Sequence, residues 1–464
     1  MNLAAPSASA RSTTGEHSFF TGGMAALAGL MFGLDIGVIS GALDFIGREF
    51  HANDSAKEWI VSSMMFGAAV GALAAGVLSF RLGRKVSLIL GAILFVIGSL
   101  FCAAAWSVES LIVARVVLGL AIGIATFTAP LYISEIAPPE KRGSMISTYQ
   151  LMITIGILAA FISDTLFAYI GAWRWMLGIV AVPGFLFLLG VLRLPNSPRW
   201  LLMRGKGREA REVLTQLRGN KQRVDAEYNE IEEQLRRPQV GWSLFRENSN
   251  FRRSVFLGVV LQIIQQLTGI NVVMYYAPRI FEAAGFQGHL ALWGTAIVGL
   301  VNVLATFIAI GFVDRWGRRP VLLTGFVVMF VGMGVLGYML NLGHLGLGMQ
   351  IFAVIMLLLF ITGFAMSAGP LIWVLCSEVQ PTKGRDFGIA ASTLTNWVAN
   401  FVVGLTFLSM LNNWGSGITF GVYALLNALF FVFTIFYVPE TKGVTLEQIE
   451  ANLMSGKPLR RIGA

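Results

Sequence analysis

The sequence predicts an all-α membrane protein: twelve transmembrane helices in two pseudo-symmetric six-helix bundles, with short cytoplasmic helices between them. Three observations predict it. The 464 residues are 56% hydrophobic and 13% charged, with a mean hydropathy of +0.71, whereas a soluble domain carries roughly 25% charge. Cutting the chain at its polar stretches leaves twelve apolar segments, each close to the ~20 residues that cross hydrocarbon. Punctuation of the first half also returns in the second. Arg81-Leu82-Gly83-Arg84-Lys85 recurs as Arg315-Trp316-Gly317-Arg318-Arg319, 234 residues on. Glu135-Ile136-Ala137-Pro138 recurs as Glu378-Val379-Gln380-Pro381, 243 on, and Pro195-Asn196-Ser197-Pro198 as Pro439-Glu440-Thr441-Lys442, 244 on. Echoes in one order mean a duplicated unit of about half the chain, which is how many transporters build a site between two bundles.

The spans, numbered 1 to 12, are predicted near 19–43, 58–80, 86–106, 109–133, 144–168, 173–194, 253–283, 291–313, 320–341, 350–376, 386–411 and 416–438. The chain therefore divides into a flexible N-terminus (1–18), a first bundle (19–194), a linker (195–252), a second bundle (253–438) and a tail (439–464). Of 34 Lys and Arg, 29 fall in the termini and alternate loops, leaving Arg48, Lys57, Arg115, Arg174 and Arg279. By the positive-inside rule, those loops and both termini are cytoplasmic. The net charge of +9 then reflects topology and attraction to lipid headgroups, and a nucleic-acid partner is not expected. Residues 1–18 are polar and rich in Ser and Ala, so no cleaved signal is expected before span 1.

Cys102 and Cys376 stand singly in apolar segments, which gives neither a disulfide framework nor a metal-ligand spacing. Both read as packing residues, and no cofactor is expected. In the linker, Glu209, Arg211, Glu212, Asp225, Glu227, Glu230, Glu232 and Glu233 recur at helical spacing. They mark either short helices latching the halves or a solvated connection. Thr445-Leu446-Glu447-Gln448 has the form of a capping box opening a helix from Leu446 to Leu453. Gly67-x-x-x-Gly71 and Gly119-x-x-x-Gly123 predict close helix contact in lipid.

Polar groups inside spans are expensive and so point to function. Asp35 lies in span 1, about 10 Å below the outer surface by helix rise, and Arg115 reaches a similar depth in span 4. The two are expected to pair, as a proton site or as a structural ion pair. In span 7, Gln262, Gln265 and Gln266 share a helical face, and Gly269 and Pro278 weaken the helix so that Asn271 and Tyr275 also point inward. Gln150 in span 5, Asn302 in span 8, Trp373 in span 10 and Asn396 in span 11 add to this set. Sugars present many hydroxyls and no charge, so amides and aromatic rings suit them. Singly, each residue could be interhelical glue; together, across both halves, they read as a binding site.

These residues resemble the sugar porters of the major facilitator superfamily. The likeness runs from Ala28 to about Gly456. It is carried by Arg-x-Gly-Arg-Lys at 81–85, Pro-Asn-Ser-Pro-Arg at 195–199, Gln-Gln-x-Thr-Gly-x-Asn at 265–271, Asp-Arg-Trp-Gly-Arg-Arg at 314–319 and Pro-Glu-Thr-Lys-Gly at 439–443. Val61–Ala69, Tyr149–Ile157 and Ser367–Glu378 look most like the bacterial galactose/proton symporters, with arabinose/proton symporters second.

The resemblance implies the major facilitator fold, with Gln150, Gln265, Gln266, Asn271, Asn302, Trp373 and Asn396 holding a sugar and Tyr275 near it. It makes Asp35 the proton-binding acid and Arg115 its partner. Passive facilitators of the family carry Asn where this chain has Asp35. Arg84, Glu135, Arg142, Asp314, Arg318, Glu378 and Arg385 match the family's cytoplasmic salt bridges, expected here to form only when the halves meet inside. The acid usual before Arg81 is replaced by Phe80, whereas its counterpart Asp314 is present.

The expected activity is proton-coupled uptake of a monosaccharide, D-galactose and related hexoses first, by a monomer in the bacterial inner membrane. Alternatives are an arabinose or xylose symporter, a passive facilitator, or a sugar receptor on a transporter fold, against which the short tail 440–464 argues. An enzyme is not expected, because the spans contain no nucleophile-base pair. A larger apolar cavity would mark a drug-efflux antiporter.

Overall fold

The computed structural model describes the backbone of residues 8–137, 142–236, 241–343 and 346–463; the side chains of 8–19, 21, 22, 25, 142–144, 146, 310 and 312–314 also lie outside the description. The described residues are helical, with no strand among them. Eleven of the helical stretches are long and apolar enough to cross a bilayer. One of them, Arg385–Tyr437, holds both span 11 and span 12 and kinks at Gly415, where φ is 77°. A side chain rarely adopts that conformation, so glycine marks the turn between the two crossings.

The first half runs Ala8–Glu49, Asp54–Arg81, Arg84–Ala103, Val108–Ile136 and Arg142–Ala168, with span 6 in two pieces, Trp173–Gly178 and Ala181–Arg193. Span 2 starts where Asn53 accepts from the Ala56 N–H, and span 4 where Ser107 and Ser110 cap each other. Helix begins at Ala8, within the stretch 1–18 read in the sequence as the N-terminal segment before span 1. After Pro6 no proline interrupts the chain before Pro130.

The second half is made of Ser249–Leu267 with Ile270–Ala283 (span 7), His289–Trp316, Arg318–Asn341, Leu347–Met366 with Ala368–Glu378 (span 10), and the kinked pair.

Helix pairing repeats with the sequence. Spans 1 and 5, 2 and 4, and 3 and 6 pack together in the first half; 7 and 11, 8 and 10, and 9 and 12 do so in the second. Absent side chains make the closest crossings possible. A Cβ on Gly119 would stand 2.0 Å from the Met64 carbonyl oxygen, and one on Gly33 would stand 1.9 Å from that of Ile153. Since lipid tails are as apolar as leucine, close packing of this kind holds membrane helices together.

The halves face each other along spans 2 and 11 and spans 5 and 8. Polar contacts between them lie at the end away from the basic loops: Asp44 with Arg279 at 3.4 Å, Asp54 accepting from Asn412 at 2.6 Å, and the Tyr169 and His289 rings stacked at 4.1 Å. A cavity of about 510 Å³ at this end is lined by Asp44, Arg48, Lys57, Arg279 and Glu282.

At the basic end, the linker forms four short helices, Pro198–Met203, Gly207–Arg218, Lys221–Leu235 and Gly241–Glu247. Arg218 ties the earlier ones to the first half, donating to the carbonyls of Ile136 (2.9 Å) and Ala137 (3.3 Å) while pairing with Glu227 (2.6 Å). The last helix packs on the second half, with Trp242 and Phe245 against Phe387 of span 11. The tail helix Leu446–Met454 is capped by Thr445, which accepts from the Gln448 N–H, and it docks where Asn250 of span 7 donates to the Met454 carbonyl.

Candidate functional site

Span 7 sets out the polar wall. Its helix stops at Leu267 and restarts at Ile270 across Gly269, whose φ of 95° interrupts the hydrogen-bond ladder. A second distortion falls at Tyr276, two residues before Pro278, whose ring removes a donor from the helix interior. Gln262, Gln265 and Gln266 thus face inward from one segment, and Asn271 and Tyr275 from the next.

Hydrogen bonds join these amides to span 11. Asn396 donates to the side-chain oxygens of both Gln262 (2.5 Å) and Gln265 (2.8 Å), and Asn271 donates to Gln266. Gln265 donates in turn to the carbonyls of Ala368 (3.1 Å) and Gly369 (3.0 Å). Those carbonyls belong to the first turn of the helix that restarts after span 10 breaks at Ser367, whose φ and ψ are −131° and −89°. Discontinuous helices lining a central site are a recurring device of transporters.

Gln262, Gln265, Gln266 and Asn396 are each at most 5% exposed. Burying amides is costly unless each finds a partner, so this network is both the support of the wall and its reservoir of hydrogen bonds. Asn302 on span 8 is buried, Gln150 on span 5 is half-buried, and the Trp373 ring stays 40% exposed. None of these three is part of the bonded network among the described residues.

On the other side, Asp35 and Arg115 are both fully buried, with Nη1 3.5 Å from Oδ1. Arg115 Nε donates to the Ile60 carbonyl of span 2 at 3.1 Å. Tyr275 lies within electrostatic reach of both charges and accepts from Asn400 of span 11 at 3.3 Å. The acid-base pair of the first half is thereby placed near the wall of the second, where a proton and a neutral solute could influence one another.

Sequence reasoning missed Asn400, which orders Tyr275, and Trp397, which meets Phe32 of span 1 edge-on at 5.8 Å across the two halves. It also missed the break at Ser367. Pro370, a residue favoured in the first turn of a helix, was the available signal for that break.

At the basic end, the charges pair within each half, which corrects the expectation that they bond only across halves. Arg84 meets Glu135 at 2.9 Å, and Glu135 also accepts from Ser197. Arg318 meets Glu378 at 3.2 Å, and Glu378 accepts from Thr441. Arg–Glu–hydroxyl triads thus repeat in both halves, built from the three sequence echoes. The reason is proximity: the loop bearing each Arg and the end of the helix bearing each Glu belong to one bundle. Arg385 points its guanidinium at the Gln380 carbonyl, 3.4 Å away. The side chains of Arg142 and Asp314 lie outside the described residues.

Two pseudo-equivalent bundles around a buried polar core define a secondary transporter of the major facilitator type. The chain belongs to the sugar transporter family: the family profile described as "Sugar (and other) transporter" matches residues 22–453. It is 63% identical over 448 residues to the galactose-proton symporter of Escherichia coli strain K12, covering 96% of this chain and 97% of that one. It is 54% identical over 454 residues to the arabinose-proton symporter of the same strain, covering 97% and 96%. Among solved structures, the xylose transporter XylE of E. coli in a partially occluded inward-open conformation superposes with a TM-score of 0.81 at 30% identity, over 93% of this chain and 100% of that one.

Proposed function

We propose that this chain is a sugar/proton symporter of a bacterial cytoplasmic membrane, taking up D-galactose and related hexoses by alternating access. The observation that carries this reading is a fully buried ion pair, Asp35 with Arg115, set beside a wall of neutral amides. Gln150, Gln265, Gln266, Asn271, Asn302 and Asn396 would bond sugar hydroxyls, Trp373 would cover the apolar ring face, and Tyr275 would line the site. Asp35 would carry the proton, and Arg115 would respond to its loss. The bundles 19–194 and 253–438 rock against each other, with both termini and the linker 195–252 inside, and the protein works as a monomer without catalysing a reaction. Whole-length identity to a galactose-proton symporter supports hexoses, and the 54% identity to an arabinose-proton symporter makes a pentose the second reading.

Uptake of radiolabelled hexoses and pentoses into right-side-out vesicles, with and without an imposed proton gradient, tests this. Gradient-driven accumulation of galactose, collapsed by a protonophore, is expected. Equilibration without accumulation would make the protein a passive facilitator, and accumulation of arabinose alone would move the specificity to pentoses.

A further inference from the structure

Glu58, near the start of span 2, is 2% exposed, and among the described residues no cation lies within ion-pair distance of it. Its hydrogen bonds come from the opposite half. Oε1 accepts from the Ser409 backbone N–H and Oε2 from the Ser409 hydroxyl, both at 2.7 Å. A carboxylate buried this way is stable only while both donors are present. When spans 2 and 11 part at this end, Glu58 returns to water and both bonds are lost. Nothing in the wall or the ion pair requires such a clamp, so its place on the moving interface points to gating.

Span 2 also holds a second tether two residues further on. Arg115 donates to the Ile60 carbonyl at 3.1 Å while its Nη1 stands 3.5 Å from Asp35. An unbroken series of contacts therefore runs from the carboxyl of Asp35 through Arg115 and Ile60 to Glu58 and Ser409.

We propose that Glu58 and Ser409 form the latch that closes the end away from the basic loops, and that span 2 ties this latch to the Asp35–Arg115 pair. The tie rests on Asp35 being the proton site, as proposed above. Neutralising Asp35 loosens its hold on Arg115 and leaves the bond to the Ile60 carbonyl, already made beside the charged pair, as the tether that holds the guanidinium. A fixed Ile60 sets Glu58 against Ser409, so proton capture favours closure. Glu58 is a positioning residue for coupled transport, acting without touching sugar or proton.

Ser62 is fully buried on span 2 and lies 3.1 Å from where a Cβ on Gly404 of span 11 would be. In the full chain with Cys102 and Cys376 replaced by Ala, Ser62→Cys supplies one thiol that is reached only when the two spans separate. Its labelling rate by an impermeant maleimide, applied from the face opposite the basic loops without sugar or gradient, reads the latch. Glu58→Gln and Ser409→Ala are each expected to raise the rate about ten-fold, since a hydrogen bond to a charged group is worth at least that factor. Asp35→Asn is expected to lower it, and to have no effect once Glu58→Gln is present. Parental rates in both latch variants overturn the latch. An Asp35→Asn effect that persists beside Glu58→Gln overturns the tie. Because the assay needs no transport, a parent protein that fails to accumulate sugar would sink the symport reading, and with it Asp35 as the proton site, while the labelling rates of Glu58→Gln and Ser409→Ala still decide the latch.

Discussion

Asp35 concentrates the energetics of the proposed cycle in one side chain. Its charge is favoured by Arg115 and opposed by removal from water, so its protonation state can follow the side to which the cavity opens. One charge crossing ~100 mV releases about 2.3 kcal/mol, enough at ~1.4 kcal/mol per decade for roughly 50-fold accumulation. Asp35→Asn keeps size and hydrogen bonding while removing the titration. It is expected to abolish both accumulation and sugar-induced alkalinisation of the medium, yet to leave sugar binding and exchange. Concentrative uptake by the Asn variant, still collapsed by a protonophore, would place the proton elsewhere. In the wall, Asn271→Ala strands the Gln266 amide, and Gln266→Ala strands Asn271 in return. Either is expected to weaken galactose binding to the purified protein by roughly 1–3 kcal/mol, the cost of leaving a buried partner unmade. Binding as tight as the parent's would make these amides interhelical glue.

Helices were the most legible part of the sequence, and their interruptions the least. Twelve apolar segments fall on the observed helices because length and hydropathy decide whether a segment can sit in lipid. The break at Gly269 was visible as a glycine followed by Pro278, whereas that at Ser367 was signalled by Pro370 alone and its packing depends on span 9. Gly325 there has no side chain, and a Cβ on it would stand 1.8 Å from Ser367 Oγ. Spacing along one helix carries no trace of such a neighbour. The same limit hid Asn400 and Trp397, which matter only through residues on spans 7 and 1. Close crossings allow a direct check. Gly119→Val pushes a side chain into the Met64 carbonyl and is expected to destabilise the protein by about 1–3 kcal/mol or more. Gly76→Ala meets nothing within 4 Å and is expected to be neutral. Apparent melting temperatures in detergent compare the two, and equal values would remove the crossing of spans 2 and 4 as a stabilising contact.

For the molecule as a whole, the 29-to-5 division of basic residues sets the proposed orientation. A single Cys in the 106–109 or 341–349 turn is expected to react with an impermeant maleimide applied to intact cells, and one in 198–252 is not. Labelling of the linker from outside would invert the topology and exchange the two ends of the cycle. The charges at the basic end were legible as a set but not as pairs. Their echoes in sequence are equally compatible with bonds across the halves and bonds inside each one, and only the path of the chain in space decides between them.

The twin triads have a consequence for assembly. Each bundle carries its own Arg, Glu and hydroxyl, and each is bound to its own part of the linker, by Arg218 on one side and by Trp242 and Phe245 on the other. Among the described residues, neither triad borrows a member from the other half. The gene could therefore be severed between the codons for Arg236 and Gly241 and its two products made separately. The fragments are expected to recombine in the membrane through spans 2 and 11 and spans 5 and 8, and to restore sugar uptake that neither supports alone.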